Sequence, residues 1–311
     1  MGRIVFLNPF PRTEIGGGIK TTYRHAELLA ESGLDVAVFQ PDGAPAWFRT
    51  ALVPLSVMPP LSAEDVLVFP EILHGEIGAL ARAPAAAKKV LFCQNQYYMM
   101  ANGLPADGYA AMGFSAFATT SAIAKGMMER VLHLAEVSVL PCFIDPELFY
   151  PRAKSPSIAL VTRKMEREAA LINAIFTLKY AQHASIPWDV IGGRSEAEAA
   201  EAVGRASILL SLSSFESLGL VPLEAMASGA IIVGFHGEGG LEYATPENGS
   251  WFASDHLEEV ADCIAATLDG LAASGPALDR MREAGFATAA RFGREAACEA
   301  LLAFYGPLVN G

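Results

Sequence analysis

The chain has 311 residues, 52% hydrophobic and 18% charged, which suits a packed core in about two domains and excludes a disordered polyelectrolyte. The formal net charge is −12, and acidic residues outnumber basic ones on both sides of residue 150. That balance argues against a nucleic-acid backbone or a polybasic membrane clamp as partner. The longest uncharged stretch, Gly108 to Ala124, contains Ser, Thr and Gly and is shorter than the roughly 18 apolar residues of a membrane span. The opening MGRIVFLNPFPRTE does not read as a signal peptide, because Pro and Glu follow a short apolar run at once. Cys93, Cys142, Cys263 and Cys298 lie far apart with no CxxC, which points to a reducing cytoplasm and no zinc knuckle.

Arg3 to Leu7 reads as a buried strand, followed by a loop with Gly16-Gly17-Gly18 and a helix from Ile19 to Glu31 that Gly33 stops. Short apolar runs at Val36–Phe39, Val66–Phe69, Val90–Phe92, Phe114–Thr120 and Val137–Leu140 read as further strands, with a helix at Ile123–Leu132. The proline-rich segment Cys142–Ser157 marks a domain boundary. Beyond it the pattern restarts, with strands at Ile158–Val161, Trp188–Ile191, Ile208–Leu212 and Ile231–Gly234. Helices are expected at Glu168–Gln182, Ala197–Ala206, Pro222–Ala227, Leu257–Leu271, Ala277–Ala290 and Ala296–Phe304. The second part reads short between Trp188 and Ala206, as if one βα unit were missing. Strands buried on both faces and alternating with helices make parallel, doubly wound sheets. The expected organisation is an N-terminal domain over 1–145, a C-terminal domain over 146–290, and a terminal helix over 291–311 able to cross back to the first.

Gly16-Gly17-Gly18, between the first strand and first helix, lets backbone approach an anion at a helix start. It fits neither a dinucleotide fingerprint, because Thr21 replaces the third glycine, nor a phosphate loop, because Ile19 separates Gly18 from Lys20. A looser phosphate-contacting loop and a plain turn remain open. Asp42 is a ribose ligand in a dehydrogenase reading and a turn residue otherwise. Tyr97 to Met100 line an acceptor pocket or pack as a loop. Six scattered histidines form no HExxH, and no Asp-x-Asp or GxSxG occurs, so no metal site or hydrolase elbow is expected.

The richest stretch is Ser211–Phe252. A strand ends near Leu212, Glu216 stands in the loop beyond, Gly219 lets the backbone turn, and Pro222 fits the first helical turn. Glu224 lies one turn into that helix. Free N–H groups thus face a crevice at a strand's carboxyl end, flanked by two acids that accept hydroxyl hydrogen bonds. Phosphate plus hydroxyls describes a nucleotide or its sugar.

Glu216 and Glu224, with seven residues between them, resemble the E-x7-E element of retaining glycosyltransferases of the GT-B fold, family 4 type. Phe215–Leu220, Leu223–Gly229, Gly239-Gly240 with Glu242, and Asn248-Gly249 are similar to that family's surroundings. So is Val139–Asp145 with Phe149 and Pro151, although Cys142 and Phe143 replace the family's Asn-Gly. The resemblance implies a GT-B-like fold of two Rossmann-like domains facing across a cleft. It implies that Glu224 holds the ribose of a nucleotide-sugar donor and Glu216 the transferred sugar. Leu218, Gly219 and Leu220 would then present backbone to the diphosphate or sugar, and Gly16, Gly17 and Gly18 would close over the phosphates. Arg163 and Lys164 would neutralise the leaving group. The family's usual later lysine is absent, with Glu166 and Glu168 near its place. Gln94 stands where many members have a histidine, and a glutamine binds a hydroxyl but is no base near pH 7.

The expected activity is transfer of a hexose or deoxyhexose to an acceptor hydroxyl with retention, with no metal and no cofactor beyond the donor. The implied setting is polysaccharide biosynthesis in the cytoplasm, extending to the inner membrane face through peripheral association, with a glycan or glycolipid acceptor. Two other readings stay open. One is a degenerate, non-catalytic nucleotide-sugar binder or scaffold of glycan assembly; the other is a nicotinamide-dependent oxidoreductase.

Overall fold

A computed structural model describes residues 2–162 and 165–310. The chain divides into two compact units, one of residues 1–142 with 294–311 and one of residues 143–293. In unit one the elements run β1 (Ile4–Leu7), α1 (Gly17–Glu31), β2 (Val36–Phe39), β3 (Val66–Pro70), α2 (Gly75–Arg82) and β4 (Lys88–Cys93). Then come α3 (Gln96–Ala101), α4 (Ala106–Ala111), β5 (Phe114–Thr119), α5 (Ala122–Val131) and β6 (Ser138–Val139). Among the described residues the strands form one parallel sheet in the order β2-β1-β3-β4-β5-β6.

The order follows from composition. Every residue of β1 and β3 is buried, as strands covered by helices on both faces must be. Strand β1 pairs with β2 on one side and β3 on the other, so the winding reverses there. That reversal opens a crevice at the strands' carboxyl ends.

Unit two repeats the logic with β7 (Ser155–Leu160), α6 (Glu166–Lys179), β8 (Trp188–Val190), α7 (Glu196–Arg205) and β9 (Ala206–Leu212). It continues with α8 (Leu220–Ala227), β10 (Ile231–Phe235), β11 (Ser250–Phe252), α9 (Leu257–Ala272) and α10 (Pro276–Ala290). Its parallel sheet has the order β11-β10-β9-β7-β8, with the reversal between β7 and β9. Helix α7 alone links β8 to β9, under a Ser195–Glu198 capping box. Ile158, Leu160, Ile208, Leu210, Ile231 and Val233 lie in one apolar core with Ile172 and Phe176 of α6 and Val260 and Ile264 of α9.

The closing helix α11 (Arg294–Asn310) belongs to unit one, not to the unit that precedes it in sequence. Its Tyr305 is fully buried, with its ring centroid 5.7 Å from that of Phe6 in β1. The N–H of Gly2 donates to the Val309 carbonyl at 3.0 Å, so the end of α11 meets the segment that leads into β1.

His25 is a fully buried member of α1. Its Nε2 donates to the Pro141 carbonyl at 3.0 Å, while Nδ1 has no partner. Burial pushes its pKa down to about 4, against the pull of that carbonyl. The fold therefore holds the neutral ring, and below pH 6.5 only the unfolded chain takes up the proton. Stability from this group is full above pH 6.5 and is lost as pH falls toward 4. The loss is on the order of 3 kcal/mol. Between about pH 7 and about pH 5 we expect wild type to lose stability relative to His25→Leu, read from their denaturation midpoints. Glu71 acts with the opposite sign, since its carboxyl is raised to about 7, so comparing the two proteins isolates the imidazole.

Candidate functional site

In unit two the site is built at the carboxyl end of β9, beside the sheet's reversal. The loop Ser213–Gly219 leaves the strand, and Gly219 turns it at φ 80°, ψ 87°, left-handed backbone that an L side chain resists. Helix α8 begins at Leu220 with no capping side chain. Its first N–H groups have no intrahelical acceptor, and Pro222 has no N–H to satisfy. This end of the helix suits an anion.

Glu224 lies one turn into α8 and is 8% exposed, while Glu216 is half-buried in the preceding loop. Their common neighbour is Tyr243. Its hydroxyl donates to the Gly219 carbonyl at 2.8 Å. Burial raises the Tyr243 pKa far above the ordinary phenol range, and the negative charges of Glu216 and Glu224 add to that. Gly219 immediately precedes α8, so the Tyr243 hydroxyl braces the helix start that lies between Glu216 and Glu224 in the chain.

Asn248 holds Tyr243 in place. Its Nδ2 donates to the Tyr243 carbonyl at 2.7 Å and to Thr288 Oγ1 at 3.0 Å. Its Oδ1 accepts from Thr245 N at 3.0 Å and from Trp251 Nε1 at 2.9 Å. All four valences of the carboxamide are engaged, so Asn248 braces the site and leaves nothing for a ligand. Tyr243→Phe removes the tie to Gly219, and we expect the folded state to lose about 1 kcal/mol, the worth of one neutral hydrogen bond, as measured by chemical denaturation.

Gly239 opens a short 3₁₀ turn, Gly239–Glu242, and a Cβ there would lie 2.7 Å from Ser217 C and 2.8 Å from Glu216 O and Leu218 N. The turn thus presses directly on the loop carrying Glu216. Ser213, 7% exposed, points its Oγ into the same junction with no hydrogen-bond partner, 3.5 Å from where a Gly219 Cβ would be.

Unit one carries a second polar cluster at its own reversal. Gly16 precedes α1 in extended backbone without a side-chain cap, and Gly17 and Gly18 form its first turn. A Cβ on Gly18 would sit 3.4 Å from Gln94 Oε1. Gln94 Nε2 donates to Thr22 Oγ1 at 3.1 Å, and that hydroxyl donates to the Gly18 carbonyl at 3.0 Å. Just beyond β3, buried Glu71 accepts from Gln94 N at 3.2 Å. Asp42 is engaged as a turn residue, its Oδ2 accepting from Arg12 N at 2.8 Å. Of the Tyr97–Met100 run, Met99 is buried in the unit-one core and Tyr98 is exposed.

Unit two thus brings together Glu216, buried Leu218, Gly219, Leu220 and Glu224, and unit one brings Gly16, Gly17 and Gly18 to Gln94. Arg163 and Lys164 lie outside the described residues. Sequence reasoning missed Tyr243, Ser213 and Glu71. Glu71 did leave a signal, an acid placed directly after an apolar strand. Among the described residues no three His, Cys, Asp or Glu side chains gather as a metal cluster would, and no helix is long and apolar enough to cross a membrane.

Residues 177–287 match the family model of glycosyl transferases group 1. That span contains Glu216, Glu224 and Tyr243. An Alpha-1,6-glucosyltransferase of Actinobacillus pleuropneumoniae serotype 7 (strain AP76) is 24% identical over 214 residues, 67% of this chain and 64% of its own length. The match therefore spans a little under two thirds of that relative. Among solved structures, sucrose-phosphate synthase from Thermosynechococcus elongatus has a TM-score of 0.69 at 16% identity over 100% of both chains. A glycosyltransferase from Rickettsia africae has a TM-score of 0.70 at 13% identity, over 100% of this chain and 99% of its own. The pneumococcal O-GlcNAc transferase GtfA, in complex with UDP and GlcNAc, has a TM-score of 0.60 at 15% identity over 81% of this chain and 58% of its own. These likenesses show the fold: two Rossmann-like α/β units with parallel sheets, of the GT-B type.

Proposed function

We propose that the protein transfers a hexose or deoxyhexose from a nucleotide-diphosphate sugar to an acceptor hydroxyl on a glycan or glycolipid, with retention and without a metal. The observation that carries this reading is the uncapped start of α8 past the carboxyl end of β9, with buried Glu224 one turn inside it and Glu216 in the loop before it. The group 1 family match over that segment supports glycosyl transfer.

In this reading Glu224 accepts from the ribose hydroxyls, and Glu216 from hydroxyls of the transferred sugar. The N–H groups at Leu218, Gly219 and Leu220 and the spare Ser213 hydroxyl meet the phosphates or sugar. Positive charge from Arg163 and Lys164 stabilises the leaving diphosphate, the charge that the transition state develops. The bond from the anomeric carbon to the diphosphate oxygen breaks. The acceptor oxygen then bonds to that carbon on the same face, and its proton passes to the departing phosphate. On the acceptor side, Gln94 offers its carbonyl to a sugar hydroxyl.

The test is incubation of purified protein with candidate donors and acceptors while the anomeric proton is followed by NMR. A product of retained configuration is expected, and an inverted product would refute retention. Donor binding without transfer or donor hydrolysis, across a broad acceptor screen, would instead identify a binding protein.

A further inference from the structure

We propose that Glu71 is a positioning residue for Gln94: its buried carboxylate clamps the turn after β4, so that Gln94 Oε1 is held ready at the start of α1 for a sugar hydroxyl. The role of the hydroxyl rests on the function proposed above; the clamp does not.

Glu71 is 5% exposed, one residue past β3 at the edge where the sheet reverses. Its Oε2 accepts from the backbone N–H of Gln94 at 3.2 Å. A carboxylate is costly to bury, and this bond ties the β3 end to the β4 end, while the nearby backbone N–H groups of Glu71 and Asn95 favour the charged form. From the next layer Asn102 Nδ2 donates to the Glu71 carbonyl at 2.7 Å, which fixes the acid's own backbone.

The clamped turn aims Gln94. Thr22 Oγ1 gives its proton to the Gly18 carbonyl and so can only accept from Gln94. That settles which end of the carboxamide is nitrogen. The carbonyl Oε1 is then the other end, next to Gly18, buried and without a protein partner. A buried acceptor left unmade costs stability, which a ligand hydroxyl would recover.

The clamp is sensitive to protons. Burial raises the Glu71 carboxyl to about 7, against the pull of the nearby backbone N–H groups. The titratable group facing it is the Cys93 thiol of β4, itself held protonated by burial and by the Glu71 charge. Tyr109 of α4, also raised by burial, faces Cys93 in turn. Both partners stay neutral through the range in which Glu71 changes charge. Protonated Glu71 is a weaker acceptor for the turn, so the clamp is firm above neutrality and loosens below it.

The experiment is a pH titration of the ¹⁵N-labelled full-length protein without ligand, from about pH 5.5 to about 8.5. The backbone amides of Gln94 and Asn95 should share one transition near neutrality, with the Gln94 carboxamide following, and Glu71→Gln should abolish it. Amides that do not titrate, or that titrate unchanged in Glu71→Gln, overturn the proposal. Should that variant fail to fold, the wild-type titration still decides.

The second arm is kinetic. Acceptor KM should rise about tenfold in wild type at low pH and in Glu71→Gln at all pH, the worth of one charge-assisted hydrogen bond. Donor Kd should stay level, and Glu71→Asp should recover part of the KM. In a Gln94→Leu background Glu71→Gln should have no further effect; an equal, additive loss overturns the proposal. Because the NMR arm needs no substrate, failure of the clamp and failure of the transferase reading give different results.

Discussion

Glu224→Gln is expected to weaken binding of a nucleotide-diphosphate sugar by about tenfold to about a hundredfold, the worth of one or two hydrogen bonds to a charged acceptor. Glu224 is 8% exposed, one turn inside the uncapped start of α8. Calorimetric titration with a panel of nucleoside diphosphates and their sugars measures the loss. Unchanged affinity across the panel would remove Glu224 from the site.

Gly239→Ala should be more damaging still, lowering kcat/KM by at least about a hundredfold, because a small displacement of positioning groups is amplified in catalysis. The added Cβ would fall 2.7–2.8 Å from backbone atoms of Glu216, Ser217 and Leu218. Backbone cannot swing aside as a side-chain end does, so the whole loop must shift, taking Glu216 and the N–H groups ahead of α8 with it. The far-ultraviolet circular dichroism should match wild type, since the loop lies outside the helices and strands of unit two. Wild-type kcat/KM in Gly239→Ala would show that this loop does not place the reacting groups.

Much of this architecture was legible before any coordinates. Apolar runs such as Ile4–Leu7 and Ile231–Phe235 are strands because a stretch buried on both faces needs no alternation. Helix starts were read less well. Helix α8 begins at Leu220, two residues before Pro222, because the turn at Gly219 sets its first residue. The strand read from Val90 to Phe92 extends back to Lys88. Lys89 looks too polar for a core, yet its ammonium donates to the Ala81, Ala83 and Met112 carbonyls at 2.8, 2.7 and 2.8 Å. Pattern reading scores such a lysine as exposed, since its partners come from elsewhere in the chain. Strand β11 (Ser250–Phe252) was missed because three half-buried residues carry no period.

The chain's own order of residues determined two βα series, a paired-acid element around a glycine turn, and a glycine-rich start to the first helix. These are local patterns, written in spacings of a few residues. Tertiary structure alone decided that Tyr243 ties to Gly219, that Asn248 braces it, that Glu71 meets Gln94, and that α11 returns to unit one. Each joins groups whose separation along the chain carries no periodic signal, and each depends on burial, which changes what an acid, a phenol or an amide does. Spacing can nominate a side chain, but only its surroundings in the fold set its charge and its partners.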